Sequence, residues 1–354
     1  MLPSPLQPFT TLVQNELSRF LWHDKRPKIK KEVLYNQPLN GGLNFAKIEV
    51  KSQALKAAWV PRLLKSIQDG GTMHVYLQTA LFPIDLKVLL SSNLKTDDLH
   101  KIIGNLTATF WREVLEAWCK CTHWEPLSKE QVLDQSLWLN SFILIGNSTL
   151  YWPSFITSNV FKIRDLLNDE GTFFSYDEIR AQHPIRCTFV EYHGLISAIP
   201  RNWKLLINNN AIHTKKSPIS LLLNPSSSTS KSAYQLIIEK VAIFPLHLVE
   251  KWSNDLGQQL TNDFLKNSFD SIFKLTISCN LRAFQFKFLH RILPTNHLLF
   301  IWKIKDSNAC SFCHQVDETL KHLFYECNIT RKFWSELREW IRHESGIMYN
   351  FNIV

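Results

Sequence analysis

Glycine is scarce. Among 354 residues there are only 10 glycines, too few for glycine-rich phosphate loops or for a turn-dense all-β fold. No run of 18 apolar residues occurs, which argues against a spanning helix. The start, Met1-Leu2-Pro3-Ser4-Pro5, lacks the basic residues and apolar stretch of a secretory leader. We therefore expect an intracellular protein, in the nucleus or cytoplasm, neither secreted nor membrane-bound. Neither G-x-x-x-x-G-K-[ST] nor H-E-x-x-H is present. The one pair of adjacent aspartates, Asp97-Asp98, lacks the aromatic neighbour of a polymerase metal box and reads as a helix N-terminus. No spacing recommends a nucleophile–histidine triad. The expectation is a chain without catalysis or a small-molecule substrate.

What is present is a large apolar fraction, 45%, with 12 Trp and 23 Phe. That suffices for a sizeable core divided over two or three domains. Charged residues at 20% exclude a disordered chain. The formal charge of +9 implies a basic surface, attractive to phosphate polymers and anionic membranes alike. Of the seven cysteines, Cys119, Cys121, Cys187 and Cys279 are scattered, whereas three cluster with a histidine near the C-terminus. That pattern is metal arithmetic in a reducing compartment, not a disulfide framework.

Hydrophobic periodicity predicts a mainly α protein. A helix over 8–22 carries Phe9, Val13, Leu17 and Phe20 on one face. The basic run Lys25-Arg26-Pro27-Lys28-Ile29-Lys30-Lys31 follows, then a Gly41-Gly42 turn. A second helix from about Ala46 has a small face of Ala54, Ala57 and Ala58, and Pro61 should kink or end it. The middle is mixed, with helical patterns at 108–119, 161–168 and 175–181 and two short strands around Gly146-Asn147. The polar stretch 215–232 reads as a linker. Helices are expected again at 231–240, 260–274, 280–292, 296–303 and 329–343. The domains are thus read as 1–70 helical, 71–214 connecting, 215–232 linker and 233–354 helical.

The strongest local signal is Cys310-Ser311-Phe312-Cys313 with His322 and Cys327, a C-x2-C-x8-H-x4-C spacing. Three thiolates and an imidazole are a standard closed tetrahedral set for structural zinc. The first pair chelates from one turn. His322 and Cys327, five apart, meet only if the helical turn between them is loose or ends there. The competing reading is four unrelated residues in a small core; His314 is a poorer substitute ligand.

On a helical wheel, Leu281, Phe284, Phe288 and Ile292 form the apolar face of 280–292. Arg282, Phe286 and His290 form a second stripe, flanked by Lys287. Such an aromatic either stacks a base between phosphate-holding cations or packs under a neighbouring element. The run 25–31 has three readings: backbone-phosphate contact, a nuclear-import signal, or a solvated loop. Arg331 and Lys332, directly after the cysteine cluster, begin a helix whose face of Ile329, Phe333, Leu337 and Trp340 is expected in the core.

The string Cys310-Ser311-Phe312-Cys313, His322-Leu323-Phe324-Tyr325-Glu326-Cys327 and Phe333-Trp334 resembles the zinc-binding domain that follows the reverse transcriptase of LINE-type, non-LTR retrotransposons. The approach to it, His290-Arg291-Ile292-Leu293-Pro294-Thr295-Asn296, resembles the same polyprotein. Leu2-Pro3-Ser4-Pro5-Leu6, Phe20–Lys30 and Gly41-Gly42-Leu43 are similar to its thumb. Leu137-Trp138-Leu139-Asn140, Asp165-Leu166-Leu167 and Gly171-Thr172-Phe173 are similar to its connecting region. The resemblance implies that the palm carboxylates lie upstream of this chain and that the chain is a fragment. Only 27 residues follow Cys327, too few for a nuclease. It further implies Zn2+ held by Cys310, Cys313, His322 and Cys327. Template RNA or DNA would be held at phosphate by Lys25, Arg26, Lys28, Lys30, Lys31, Arg282, Lys287, Arg331 and Lys332. The alternative is a domesticated, zinc-stabilised protein-interaction module.

Overall fold

Helix breakers and left-handed residues cut this chain into short rods. The computed structural model describes residues 7–208, 217–224 and 226–345. Among them are twenty α-helices and one two-stranded antiparallel sheet, so the fold is mainly α. The helix from Ile48 stops at Ala57, and a new one runs Trp59–Gln68. Pro61 accounts for the break: its ring would meet the carbonyl four residues back, whereas in a first turn its missing N–H costs nothing. Helix Gln7–Trp22 ends before Pro27, at His23 and Asp24, both with φ in the left-handed region.

The chain forms two compact units, one of residues 1–18 with 47–240, the other of 19–46 with 241–354. These boundaries differ from a division at 70, 214 and 232. The difference has a packing cause: helix Thr229–Ile238 lies against helices Ile48–Ala57 and Thr109–Thr122. The described part of 215–232 holds helix Pro218–Leu222 and the start of Thr229–Ile238.

In the first unit, helix Thr109–Thr122 buries Trp111, Val114, Leu115, Ala117, Trp118, Cys119, Cys121 and Thr122. Ala54 and Ala57 are fully buried, so the small face does permit close helix packing. The stretch Leu137-Trp138-Leu139-Asn140 is wholly buried, and the Trp138 indole N–H donates to the Val160 carbonyl at 2.8 Å. Buried polar groups here satisfy one another, as burial requires. Asn93 Nδ2 donates to Gln135 Oε1 at 2.7 Å and to the Trp124 carbonyl at 2.8 Å, and its Oδ1 accepts the Trp124 N–H. Strands Leu144–Ile145 and Ser148–Thr149 pair across Gly146-Asn147, both left-handed, which is the twist a two-residue hairpin prefers. Asp97 and Asp98 lie in the first turn of helix Thr96–Ile103. The Ser141 hydroxyl donates to Asp98 and holds that carboxyl below its usual range.

In the second unit, helices Leu246–Leu256 and Asn262–Leu275 bury Leu248, Trp252, Leu265, Phe269 and Ile272. A smaller cluster joins Ile29, Val33 and Leu34. Gly41 and Gly42 are required. Gly41 has φ +77°, and a Cβ there would sit 2.7 Å from the Phe269 ring. At Gly42 a Cβ would collide with the Asn36 carbonyl at 1.9 Å. Helix Cys279–Leu289 follows its wheel only in part: Phe288 packs against the larger cluster and Ile292, just beyond the helix, against the smaller. Leu281 and Phe284 are 54% and 43% exposed, while Phe286 packs against both clusters. The cause is His290, whose ring lies 4.4 Å from that of Phe286 and whose Nε2 donates to the Gly41 carbonyl at 2.8 Å. Beyond His290, the buried apolar side chains among the described residues are Cys310, Leu320 and Cys327 alone.

Candidate metal centre

Thr295 caps helix Asn296–Ile301 by accepting the Leu298 N–H. The chain then turns into a narrow loop closed by a bridge between Ala309 and Asp317. Within it the Cys310 N–H donates to the Val316 carbonyl at 2.8 Å, and the His314 N–H to the Cys310 carbonyl at 2.9 Å. His314 takes the left-handed φ of 59° that closes the turn. It is exposed and stands outside the cluster.

Cys310, Cys313, His322 and Cys327 converge: their ligand atoms all lie within 4.8 Å of one another. Cys313 Sγ is 3.3 Å from His322 Nε2. Zinc bonds of about 2.3 Å to sulfur and 2.0–2.1 Å to nitrogen give tetrahedral edges of roughly 3.6–3.8 Å, so shifts of at most about 1 Å complete the shell. The residues fit zinc. Ligand thiols bind as thiolates. At Cys313 the backbone N–H of Gln315 and the neighbouring His322 bring the thiol down to about 6, whereas burial raises that of Cys310. With four protein donors and Cys310, His322 and Cys327 buried, the site is a structural Zn2+ site.

His322 and Cys327 reach one point because the turn between them is loose. In an α-helix, residues five apart point roughly 140° away from each other. Here His322–Glu326 is a π-helical turn, closed by Cys327 N–H donating to the His322 carbonyl at 2.8 Å, the wide turn found at functional sites. Helix Asn328–Ser345 then covers the turn's outward carbonyls. Thr330 Oγ1 donates to Leu323 at 2.7 Å, Trp334 Nε1 to Phe324 at 2.7 Å, and Arg331 Nε to Tyr325 at 3.3 Å.

The basic residues fare unequally. Lys25, Arg26 and Lys30 are exposed, but Ile29 between them is buried and anchors the run. Lys28 stacks its ammonium 3.5 Å over the Trp302 ring, which joins the run to the segment leading into the metal loop. Lys31 is half-buried, in the first turn of helix Lys31–Leu34. Arg282 donates to the Thr276 and Phe273 carbonyls, at 2.7 and 3.1 Å, so its guanidinium closes the end of the preceding helix. Lys287 is exposed. Lys332 pairs with Glu336 at 3.8 Å, both exposed. Of the face expected in the core, Ile329, Phe333 and Trp340 are 52%, 54% and 61% exposed, and Leu337 is half-buried. Their helix packs by its first turns on the π turn.

Spacing did not reveal the polar support of the loop. Glu318 is buried and accepts from Ser311 and Asn296. Burial raises its carboxyl, but those donors and the charge of Lys305 outweigh it and hold the group below its usual range. The available signal was an acidic residue inside a metal loop without a ligand's spacing.

Residues 249–334 match a family model described as zinc-binding in reverse transcriptase. The match takes in the four metal ligands, helix Asn296–Ile301 before them and the first turns of helix Asn328–Ser345 after them. A search of curated proteins finds no match. No helix among the described residues is long and apolar enough to cross a membrane.

Proposed function

We propose that this chain is a non-catalytic nucleic-acid-binding part of a LINE-type retrotransposon reverse transcriptase. Its structural Zn2+ would hold a lobe that meets template RNA or DNA in the nucleus or cytoplasm. The observation that carries this reading is the zinc-domain match over 249–334. The exposed cations add to it: Lys25, Arg26 and Lys30 stand free of the core while Lys28 is stacked on Trp302. Residues 1–70 would serve as the thumb-like part and 71–214 as the connecting region. Lys25, Arg26, Lys30, Lys31, Lys287 and Lys332 would contact phosphate. Arg282, Arg331 and Lys28 would contribute charge while keeping their present contacts.

A second reading, a zinc-stabilised protein-interaction module, is favoured by the exposed face of Ile329, Phe333 and Trp340. Salt-titrated binding to single-stranded RNA separates the two. Phosphate contacts give a linear fall of log affinity with log salt, about 0.7 per phosphate for single strands. Replacing Lys25, Arg26 and Lys30 together by alanine should flatten that slope by about 2. No binding at low salt would discard the nucleic-acid reading and favour the interaction module.

A further inference from the structure

We propose that Glu318, braced by Asn296, is a positioning residue that sets the shape of the Cys310–Cys313 turn before the metal arrives. Glu318 is 4% exposed and is not among the four ligands. A buried carboxylate is costly unless every lone pair is used. Here Oε1 accepts the Asn296 N–H at 2.7 Å, and Oε2 accepts the Ser311 N–H at 2.6 Å and Asn296 Nδ2 at 3.2 Å. The Asn296 amide also donates to the Ala309 carbonyl at 2.7 Å and to Ser311 Oγ at 3.0 Å, while its oxygen accepts the Lys305 ammonium at 2.7 Å.

The consequence falls on Cys310. The Ser311 N–H belongs to the peptide plane on one side of Cys310, and Glu318 fixes it. The Cys310 N–H belongs to the plane on the other side, and the Val316 carbonyl fixes that. With both planes held, the Cα–Cβ bond of Cys310 has one direction, toward the other ligands. The clamp is anchored outside the loop, on the first residue of helix Asn296–Ile301. Ordering of the turn is therefore supplied by folding of that helix and not drawn from metal binding, the way preorganisation raises affinity. Outer groups that orient metal ligands typically change metal affinity 10–100-fold when removed.

This inference rests on the zinc site and is independent of the nucleic-acid reading. The test uses the full chain and the variant Glu318→Gln, which keeps the volume but turns one acceptor into a donor facing a backbone N–H. Zinc affinity would be measured by competition with a chromophoric chelator. The Co2+-substituted protein would be examined by its visible absorption, and the metal-free protein by hydrogen exchange. The expected result is a 10–100-fold weaker zinc affinity, an unchanged tetrahedral Co2+ spectrum at saturation, and faster exchange over 308–318 in the metal-free variant. An affinity within twofold of the parent would overturn the proposal, as would an altered Co2+ spectrum, which would make Glu318 a ligand. Lys305→Met, at an exposed position, guards against misfolding: it should weaken zinc severalfold, and no change there would also count against the clamp. A parent chain that takes up no zinc would refute the metal site itself, a different failure.

Discussion

The unit built around Trp138 and the lobe that follows His290 are held together by different physics. In the first, Trp138, Leu137, Phe155, Val160 and Ile163 are at most 1% exposed, and the buried amides of Asn93, Gln135 and Asn140 find partners within the same core. In the second, Leu320 is the one buried apolar residue among the described residues that is not a metal ligand, because the other two are Cys310 and Cys327. A single ordinary core residue could not offset the ordering of a segment this long. Coordination can, since structural zinc carries about 10–16 kcal/mol of apparent binding energy in small fingers. One chain thus combines a self-sufficient core with a lobe whose order is lent by an ion.

The sharpest contrast comes from a reciprocal pair of variants. Cys313→Ser should release the metal and unfold 305–330 while the first unit keeps its cooperative melt. Stoichiometric zinc retained by that variant, by atomic emission, would end the assignment. Trp138→Ala should do the reverse, costing about 3–5 kcal/mol in the first unit, read from denaturant unfolding, with zinc content unchanged.

A smaller effect is expected in acid. Burial, with a small contribution from His247, pushes His290 down to about 4 from 6.5, and outweighs the bond to the Gly41 carbonyl, which acts in the opposite direction. The folded unit therefore favours the uncharged ring. Its stabilisation is complete above about 6.5 and drains as pH falls through about 4, on the order of 3 kcal/mol in all. The metal ligands also take up protons in acid, so the comparison is with His290→Gln, which keeps a donor but cannot titrate. The difference in pH dependence between parent and variant isolates the ring, and identical profiles would remove His290 from the account. The smallest effect belongs to Trp340→Ser. Being 61% exposed, this Trp should change stability by less than about 0.5 kcal/mol; a loss of several would put it back in a core.

Much of this was legible in the residues. C-x2-C-x8-H-x4-C identified the ligands because chemistry fixes both their types and their spacing, and the need for a loose turn between His322 and Cys327 followed from helix geometry alone. Gly146-Asn147 and Gly41-Gly42 declared their turns because only certain residues tolerate those backbones. The misses share a cause. Wheel positions say which residues align, not which face finds a partner. Thus Leu281 and Phe284 stay exposed although Phe288 on the same stripe is packed, and Ile329, Phe333 and Trp340 stay out. Helix Leu246–Leu256 was overlooked because Pro245 and short flanking turns hid its period. The Asn296–Glu318 clamp joins residues 22 apart through a loop and has no periodicity to read.

Hydrogen exchange followed peptide by peptide, before and after zinc is withdrawn by a chelator, tests the division of labour most directly. The account predicts that 305–334 loses its protection on chelation while 109–122 and 129–166 keep theirs. Protection over 305–334 that survives complete metal removal, or is lost in step with the first unit, would contradict it.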